Sequence, residues 1–574
     1  MVVVARVLPN VTGLDKSFDY RVPDGLVDRA QIGSVVRVRL NGRSVRGWIV
    51  QLDPPDAHHG DDLIDITKVS SHGPPAELVG LAEWASARWA GRARHFMVAG
   101  SPGRDVVRLP GSQRTGMVVE PRSPATTSML QRGGGVLRLP PASDPLPAVL
   151  SAIATGPTLV VTAGVDQAVL LGARLRRSGV SVAVMPDGWA AAAGGVDVVV
   201  GARSAAWAPC PGLTAALLLD EHDEAHQEEG SPTWHARDVL IERCRRAGAA
   251  LLLVSPCPTV TALEWGQVTR PPKQREIDGW PLVEVVDRSD EEPWKRSLIT
   301  SELIECLRDE TLTVVCVTND TGRARLLACR QCRALTRCER CEAAVGLTDD
   351  GTLACRRCDA VRPPVCLACG GGRFANLRPG VTRLREELEA AAGRPVVAIT
   401  GASAEAPEQS GVYVGTEAVL HRVESADVVA FLDIDRELLA PRYRAGEQAL
   451  ALLVRAARVV GPRSRGGRVL VQTFIPDHEV LEAAVTADPG ILAEAERERR
   501  SVLGLPPFGA LAEISGAGSE SFVESLTPVD EATIVAVDDQ YLVRAANWHT
   551  LGDVLATGVR PPGKRLRIAV DPPR

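Results

Sequence analysis

Residues 215–223 read Ala-Ala-Leu-Leu-Leu-Asp-Glu-His-Asp, five apolar residues followed by an acidic cluster. Uninterrupted apolar runs of this length are typical of strands that are buried on both faces of a parallel sheet. Similar runs, separated by helical stretches, occur at 158–161, 196–200 and 249–254. The alternation predicts an α/β lobe with a parallel sheet over residues 146–270.

A second series of apolar runs predicts a second α/β lobe over residues 271–475. The runs of this series are 313–317, 396–399, 428–432 and 469–473. A cysteine-rich segment, 329–370, interrupts the series and is predicted to be an insertion in this lobe.

The segments that flank the two lobes have different patterns. Residues 1–105 are predicted to form a β-rich unit, because Val35–Leu40 alternates, Asn41-Gly42 is a turn signal and a second strand follows at 48–50. A helix is expected at 76–90. The Pro- and Gly-rich residues 106–145 predict a linker or a reduced winged-helix region, and residues 476–574 predict a small α+β domain.

The composition fits a globular chain of several domains and excludes global disorder and collagen-like fibres. The chain has 574 residues, 65 Lys+Arg against 71 Asp+Glu, and 45% hydrophobic residues. No apolar run approaches the ~18 residues of a membrane-spanning helix, and Arg6 interrupts the first apolar run before a signal peptide could form. We therefore expect a cytoplasmic, nucleoid-associated protein with no membrane partner.

The eight clustered cysteines form four CxxC pairs within the insertion. They are Cys329, Cys332, Cys338, Cys341, Cys355, Cys358, Cys366 and Cys369. A tetrahedral zinc ion takes four thiolates, so eight cysteines predict two closed structural Zn²⁺ sites. An iron–sulfur centre is the alternative, although the paired spacing favours zinc. The segment 321–385 also carries 13 Arg against five acidic residues, a surface that can meet phosphates or simply be solvated.

The acidic cluster after the strand 217–219 is a candidate nucleotide site. Carboxylates at the end of a parallel strand, here Asp220, Glu221 and Asp223, can hold Mg²⁺ and polarise water during nucleotide hydrolysis. An acidic loop without such a role is the alternative.

Several motifs resemble the PriA family of bacterial replication restart proteins, superfamily-2 DNA helicases that reload the replication machinery at stalled forks. The motifs are Gly201-Ala202-Arg203-Ser204, the acidic cluster, His235-Ala236-Arg237-Asp238, Gly415-Thr416-Glu417, Asp433-Ile434-Asp435, Tyr443–Glu447, Pro476-Asp477-His478 and Leu505–Phe508. The resemblance runs nearly end to end. It implies two RecA-like helicase lobes with a two-zinc insertion, between an N-terminal DNA-binding domain and a C-terminal domain.

The resemblance also implies roles for particular residues. Phe18-Asp19-Tyr20 looks like the family element that recognises the 3′ end of a leading strand, with Asp19 accepting a bond from the terminal 3′-hydroxyl. The family's zinc arrangement implies that Cys329 and Cys332 join Cys366 and Cys369, while the two middle pairs share the second ion. A core Phe and Tyr beside an exposed Asp is the alternative for the first motif.

The sequence departs from the family where ATP would be bound and hydrolysed. A phosphate-binding loop uses glycines and a lysine that reaches the β/γ-phosphates, yet no lysine lies between Lys68 and Lys273, and 154–157 offers only Ala-Thr-Gly-Pro. Ungapped alignment places Leu219 at the first acidic position of the helicase motif.

The same departures continue in the second lobe and in the coupling motif. Val459 and Pro462 stand at the arginine positions that steady the γ-phosphate, so Arg455 and Arg458 could substitute only after a change of register. The family's Ser-Ala-Thr coupling motif is Ser255-Pro256-Cys257 here. ATP and Mg²⁺ are therefore doubtful cofactors, and the sequence argues against turnover.

We therefore expect a replication restart protein that recognises branched and single-stranded DNA at abandoned forks and acts as a primosome assembly platform. Its expected partners are primosome proteins, the replicative helicase or its loader, and single-strand-binding protein. One alternative is an active ATP-dependent 3′-5′ DNA helicase with an atypical nucleotide site. Another is a zinc-stabilised regulator that uses the two lobes for protein contacts and binds DNA weakly.

Overall fold

The computed structural model describes most of the chain in two compact units. The described residues are 3–58, 60, 63–116, 119–288, 298–318, 327–332, 336, 339, 345–348, 351–355, 360–376, 381–399, 411–440, 442–527, 530–537 and 539–572. Unit 1 comprises 1–139, 143–271 and 493–574, and unit 2 comprises 140–142 and 272–492.

Unit 1 begins with a five-stranded antiparallel sheet and two helices. The elements are β1 (Val3–Pro9), β2 (Phe18–Val22), β3 (Val35–Leu40), β4 (Arg43–Leu52), β5 (Lys68–Ser71), α1 (Ala76–Arg88) and α2 (Ala93–Gly100). The strand order is β2-β1-β4-β3-β5, so the predicted hairpin is confirmed as β3 and β4. The predicted helix is confirmed as α1, whose Leu78 and Leu81 are buried.

A seven-stranded parallel sheet follows and confirms the first α/β lobe. Its elements are α3 (Pro124–Gln131), β6 (Gly134–Arg138), α4 (Leu146–Ile153), β7 (Thr158–Val161), α5 (Val165–Arg177), β8 (Val182–Val184), α6 (Trp189–Gly194), β9 (Val198–Gly201), β10 (Ala215–Leu219), α7 (Ala236–Ala247), β11 (Ala250–Ser255), α8 (Val260–Trp265) and β12 (Val268–Thr269). The strand order is β12-β6-β11-β10-β7-β9-β8, and every adjacent pair is parallel.

Strand β6 and helix α3 lie inside the range 106–145, for which the sequence predicts a linker or a reduced winged-helix region. Gly133, Gly134 and Gly135 suggested a linker, but the glycine at 134 is required by packing. A Cβ there would lie 1.9 Å from the carbonyl oxygen of Leu251, and its φ is +113°. A Cβ at Gly135 would likewise lie 2.7 Å from the carbonyl oxygen of Gln267, so close approach of neighbouring backbones explains these two glycines.

Unit 2 confirms the second lobe as a six-stranded parallel sheet with an inserted segment. Its elements are α9 (Lys273–Asp278), β13 (Leu282–Asp287), α10 (Ser301–Arg308), β14 (Val314–Val317), β15 (Leu327–Cys329), β16 (Val345–Leu347), β17 (Leu353–Cys355), β18 (Val361–Arg362), β19 (Phe374–Asn376), α11 (Val381–Ala392), β20 (Val396–Ile399), β21 (Val412–Gly415), β22 (Val428–Phe431), α12 (Asp435–Leu438), α13 (Ala445–Val460), β23 (Arg468–Thr473) and α14 (Glu479–Val485). The sheet order is β13-β23-β22-β14-β21-β20. Strands β15 to β19 form two small antiparallel sheets within the insertion.

The C-terminal part of the chain is a four-stranded antiparallel sheet with helices. Its elements are α15 (Gly490–Leu503), β24 (Ala510–Ser515), α16 (Ser519–Glu524), β25 (Ala532–Val537), β26 (Gln540–Ala545), α17 (Trp548–Ala556) and β27 (Arg567–Val570). The order is β25-β26-β24-β27. Its buried side chains, among them Ile514 and Val543, join the same hydrophobic core as Trp207 of the first lobe. None of the described helices has the length and apolar character needed to cross a membrane.

Candidate functional site

The predicted DNA-end motif lies on the edge strand β2, where Asp19 pairs with Arg6 of β1. The Arg6 guanidinium makes a two-bond ion pair with the carboxylate, Nε to Oδ1 at 2.8 Å and Nη2 to Oδ2 at 3.1 Å. The backbone N–H of His58 donates to Oδ2 at 3.2 Å. These donors, Arg6 first, hold the pKa of Asp19 below its ordinary value, so the carboxylate stays ionised at neutral pH.

Two of the three predicted residues line one open cavity of about 530 Å³. Phe18 and Asp19 contribute to its wall together with Arg6, Ser17, His58 and Leu63. Tyr20 is instead buried in the sheet core, and its hydroxyl donates to the carbonyl of Arg39 at 3.1 Å. Three of about four acceptor positions of the Asp19 carboxylate are used, which leaves room for one hydroxyl donor from the cavity.

Arg6 is a site residue that the sequence reasoning missed. It also contacts Asp56 at 3.0 Å, so one guanidinium is shared by two carboxylates. A signal for it was present, because Arg6 is the single charged residue in the otherwise apolar strand Val3–Pro9.

Four of the predicted metal ligands come together in the insertion. The sulfurs of Cys329, Cys332, Cys366 and Cys369 all lie within 4.8 Å of one another. The Sγ–Sγ distances are 3.5 Å for Cys329–Cys369 and 3.6 Å for Cys332–Cys366. The first CxxC pair therefore meets the last pair, as the family arrangement implied.

Two of the four thiols are shifted toward the thiolate form, whereas the neighbouring sulfurs, against the backbone N–H of Gly371, raise the pKa of Cys369 to about 12. Backbone N–H groups, that of Cys332 first, lower the pKa of Cys329 to about 6, and those of Ala368 and Cys369 lower the pKa of Cys366. Thiolates are the form that binds zinc. Of the second predicted set, Cys338, Cys341 and Cys358 and the side chain of Cys355 lie outside the described residues.

Within the acidic cluster after β10, Glu221 is engaged in the interior of the first lobe. Glu221 is turned into the interior, where Oε1 accepts from Arg237 Nη1 at 2.8 Å and from Thr259 Oγ1 at 2.7 Å. Its Oε2 accepts from the backbone N–H of Thr259 at 3.1 Å. The side chains of Glu221 and Arg237 are 0% and 1% exposed. This carboxylate is part of a buried ion pair and has no access to a water in solvent.

The other two acidic residues have local roles. Asp220 has a positive φ of 57°, and the Asp223 carboxylate caps the short 3₁₀ helix Glu224–His226 through the N–H of Ala225 at 2.9 Å. Among the described residues, the four-cysteine group is the only set of three or more metal-binding side chains that converge. Of the three carboxylates after β10, Glu221 is therefore engaged in the interior and is not available to a metal ion.

The segment before β7 forms a strand–loop–helix unit, the type of unit in which phosphate loops occur at the carboxyl end of a parallel sheet. It runs from β6 through residues 139–145 to α4, so it begins before the stretch 154–157 that the sequence indicated. The loop reads Leu-Pro-Pro-Ala-Ser-Asp-Pro and contains no glycine and no lysine. Its two consecutive prolines supply no backbone N–H to a ligand.

The first turn of α4 has no backbone N–H left for a phosphate. Asp144 Oδ1 accepts from the N–H of Leu146 at 3.0 Å. Residue 147 is proline, and the N–H groups of Ala148 and Val149 both bond to the carbonyl of Pro145. A carboxylate of this chain thus lies at the helix N-terminus, where the positive end of the helix dipole would otherwise attract an anion.

Arg174 of α5 fixes Asp144 in this position. Its guanidinium bonds both carboxylate oxygens, at 3.0 and 2.5 Å, and holds the pKa of Asp144 below its ordinary value. The carboxylate is therefore ionised at neutral pH, and together with Arg174 it occupies the N-terminus of α4 as an ion pair. The residues of this loop do not fit a bound nucleoside triphosphate.

The candidate arginine-finger residues of unit 2 are also engaged within that unit. Arg455 bonds His421, and Arg458 Nε donates to the carbonyl of Pro141 at 3.2 Å. Val459, at an arginine position of the family, is buried.

Asp435, of the motif Asp433-Ile434-Asp435, accepts hydrogen bonds from the hydroxyl of Thr473 and from the backbone N–H of Phe474.

Comparisons with known proteins point to one family. Residues 4–102 match the model of the PriA 3′ DNA-binding domain. The chain is 28% identical over 574 residues to the probable replication restart protein PriA of Mycobacterium tuberculosis H37Rv, covering 88% of this chain and 85% of the relative.

Relatives from other bacterial groups match over a smaller part of the chain. The replication restart protein PriA of Bacillus subtilis is 27% identical over 57% of this chain and 44% of the relative. The PriA of Rickettsia conorii is 25% identical over 65% of this chain and 61% of the relative.

The similar solved structures have low TM-scores. The Escherichia coli DExH-box NTPase HrpB covers 66% of this chain and 44% of its own at 12% identity with a TM-score of 0.33, too low to support an argument. The matched DNA-binding domain, the nearly full-length likeness to the mycobacterial protein and the two parallel lobes agree with one another. Along most of its length the chain is thus similar to a bacterial replication restart protein named PriA, and its residues 4–102 match the PriA 3′ DNA-binding domain.

Proposed function

We propose that this chain is a replication restart protein that recognises stalled or abandoned forks and serves as a primosome assembly platform without helicase activity of its own. The match over 4–102 to a 3′ DNA-binding domain and the relatives named as replication restart proteins support the first part. Its proposed ligands are branched and single-stranded DNA. Its proposed partners are primosome proteins, the replicative helicase or its loader, and single-strand-binding protein.

The observation that carries the second part is the occupied N-terminus of α4. In a motor of this class, backbone N–H groups and a lysine bind the phosphates and move them into a reactive position. Here the Asp144 carboxylate accepts the hydrogen bond of the Leu146 N–H, and Arg174 neutralises that carboxylate. The loop also contains two consecutive prolines, which have no N–H to donate to a phosphate. Burial of Glu221 against Arg237 removes the residue that would polarise water. The occupied N-terminus of α4 acts on nucleotide binding and the burial of Glu221 acts on hydrolysis, so each feature would oppose helicase activity independently of the other.

The DNA-end site is proposed to read the leading-strand 3′-hydroxyl through Asp19. The ionised carboxylate is oriented by Arg6 and accepts one further bond from the cavity side. A terminal 3′-phosphate would bring a negative charge against this carboxylate instead of a donor. Loss of a hydrogen bond to a charged group costs about 1–3 kcal/mol, or roughly 5- to 150-fold in affinity.

We assign a structural role to the metal. Four cysteine sulfurs close around one position and leave no ligand place for water or substrate, which is the pattern of structural zinc. The remaining four cysteines are proposed to hold a second zinc ion, giving two per chain.

Fork binding tests this function directly. Two synthetic forks that differ only in a 3′-hydroxyl or a 3′-phosphate on the leading strand at the branch are compared, with and without ATPγS. We expect tighter binding of the hydroxyl fork, no effect of the nucleotide, and loss of the preference in Asp19→Asn. Asp53→Asn is a matched control on the same sheet, away from the cavity, and should retain the preference.

Two results would count against the proposal. Equal binding of both forks by the wild-type chain would remove the 3′-end role and favour a zinc-stabilised regulator with weak DNA binding. A nucleotide effect on fork affinity would indicate that a phosphate site exists and favour the helicase alternative.

A further inference from the structure

Strand β25 is an exposed apolar edge. It reads Ala-Thr-Ile-Val-Ala-Val over Ala532–Val537, and every residue from 533 to 537 is exposed. Ile534, Val535 and Val537 keep 39%, 48% and 37% of their surface open to solvent. Its one partner among the described strands is β26, so its outer backbone groups face away from the sheet.

The opposite edge of the same sheet is covered. Side chains of the loop 227–234 bond the carbonyls of β27 and of the residue after it: Ser231 to Ile568, Thr233 to Val570 and Gln227 to Asp571. Natural sheets protect an open edge with lysine, proline, a bulge or a covering segment. Strand β25 contains no lysine and no proline, and its register with β26 is continuous.

An added strand would extend both layers of side chains. In the observed register Ile534 lies opposite the buried Val543 on the core face, and Val535 lies opposite Leu542 on the outer face. A partner strand next to β25 would therefore cover Ile534 on one side and Val535 and Val537 on the other. Addition of a strand combines backbone hydrogen bonds with alternating side-chain contacts.

The ends of β25 carry negative charge. Asp530 and Glu531 precede the strand, Asp538 and Asp539 follow it in the sequence, and all of the described members are exposed. In an antiparallel pairing of two copies centred on β25, Asp530 would oppose Asp539. A parallel in-register pair would also place acids beside acids. Like charges directly opposite are destabilising, so a second copy is disfavoured.

We propose that β25 is a docking edge for an extended segment of another protein, with an alternating apolar centre and Lys or Arg at both ends. The segment adds as a fifth strand outside β25, and its basic ends meet the acidic ends of β25. The nearest cation on β26, Arg544, donates to the carbonyl of Leu503 and so is held on the α15 side. This docking edge does not depend on whether the first lobe binds a nucleotide.

Peptide binding to the full-length, zinc-loaded chain tests the proposal. The probe is a fluorescent peptide of about nine residues with alternating Val and Thr between two lysines at each end. One control peptide has glutamates in place of the lysines, and a second carries N-methyl groups on alternate amides, which block strand pairing. Fluorescence anisotropy should give micromolar binding for the basic peptide, at least tenfold weaker binding for both controls, and weakening with salt.

Matched variants locate the site on β25. Val535→Lys should weaken the basic peptide at least tenfold, whereas Val559→Lys, the same change at a position that is 67% exposed outside the strand, should not. Glu531→Gln with Asp539→Asn should reduce both the affinity and its salt dependence. Metal content and fork binding of each variant exclude misfolding as the cause.

Three results would overturn the proposal. No binding of the basic peptide at about 1 mM would show that the edge does not accept a strand. Equal binding of the acidic and basic peptides would refute the proposed preference for Lys or Arg at the ends of the segment. A wild-type dimer that Val535→Lys converts to a monomer would show that the occupant is a second copy of this chain.

Discussion

Arg237→Met should destabilise unit 1 strongly, because it leaves the Glu221 carboxylate buried without its cation. Both side chains are almost fully buried, and Arg237 also bonds Asp238 at 3.0 Å. Removing one partner of such a pair costs about 3–5 kcal/mol, since the remaining charge is desolvated and uncompensated. Replacing both partners removes that penalty, so Arg237→Met with Glu221→Leu should recover most of the lost free energy of unfolding.

Urea unfolding followed by tryptophan fluorescence measures this effect. Unit 1 holds most of the ten tryptophans, among them Trp207 and Trp234 packed edge to face with ring centres 6.0 Å apart. With a slope of about 3 kcal/mol/M, the single variant should lower the midpoint by about 1–1.7 M urea. Arg245→Met, which removes a largely exposed partner of Glu242, is a matched control that should cost under about 1 kcal/mol.

The single and double variants together test whether Glu221 is the charged partner in a buried ion pair. A midpoint shift below about 0.3 M for Arg237→Met would refute the assignment of Glu221 to a buried ion pair. Equal destabilisation of the single and double variants would show that the loss comes from packing of the arginine stem and not from the uncompensated carboxylate.

Three further predictions follow from other parts of the chain. Arg6→Met should weaken the preference for a 3′-hydroxyl fork several-fold, with partial recovery in Arg6→Lys, because the Asp19 carboxylate loses the cation that orients it; an unchanged preference would contradict a positioning role. Cys329→Ser should lower the zinc content from about two to about one ion per chain, and an unchanged content by metal analysis would exclude the four-cysteine site. Burial lowers the pKa of His226, so the folded chain binds a proton there less readily than the unfolded chain, and stability should fall as pH drops below about 6.5. The melting temperature between pH 7.5 and 5 should decline less in His226→Gln, which keeps a donor for the Leu219 carbonyl. Identical slopes for the two proteins would contradict this prediction.

Apolar runs predicted the parallel lobes because strands buried on both faces need little besides continuous apolar residues. β7, β10 and β20 have the expected bounds. Strand β6 was not predicted, because glycines and prolines in and after it suggested a linker, whereas Gly134 is required by contact with Leu251, more than 100 residues away. Pattern within a segment cannot reveal a requirement set by a distant backbone.

The candidate sites divide in the same way. The CxxC spacing indicated two four-cysteine sites, whereas the family resemblance implied that the first pair meets the last pair. The missing lysine was visible in the sequence, but the ion pair of Asp144 and Arg174 at the N-terminus of α4 was not, because it depends on packing of α5 against the loop. Glu221 looked like a metal ligand from its neighbours, yet Thr259, 38 residues later, turns it inward.

DNA-stimulated ATP hydrolysis on a fork with a leading-strand 3′-hydroxyl tests the central claim most directly, with fork binding recorded in the same sample. The account predicts saturable fork binding and hydrolysis no faster than the background without protein. Clear turnover that disappears in Asp220→Asn, a variant that leaves the buried Glu221–Arg237 pair intact, would contradict it and would mean that the first lobe hydrolyses ATP without a phosphate loop.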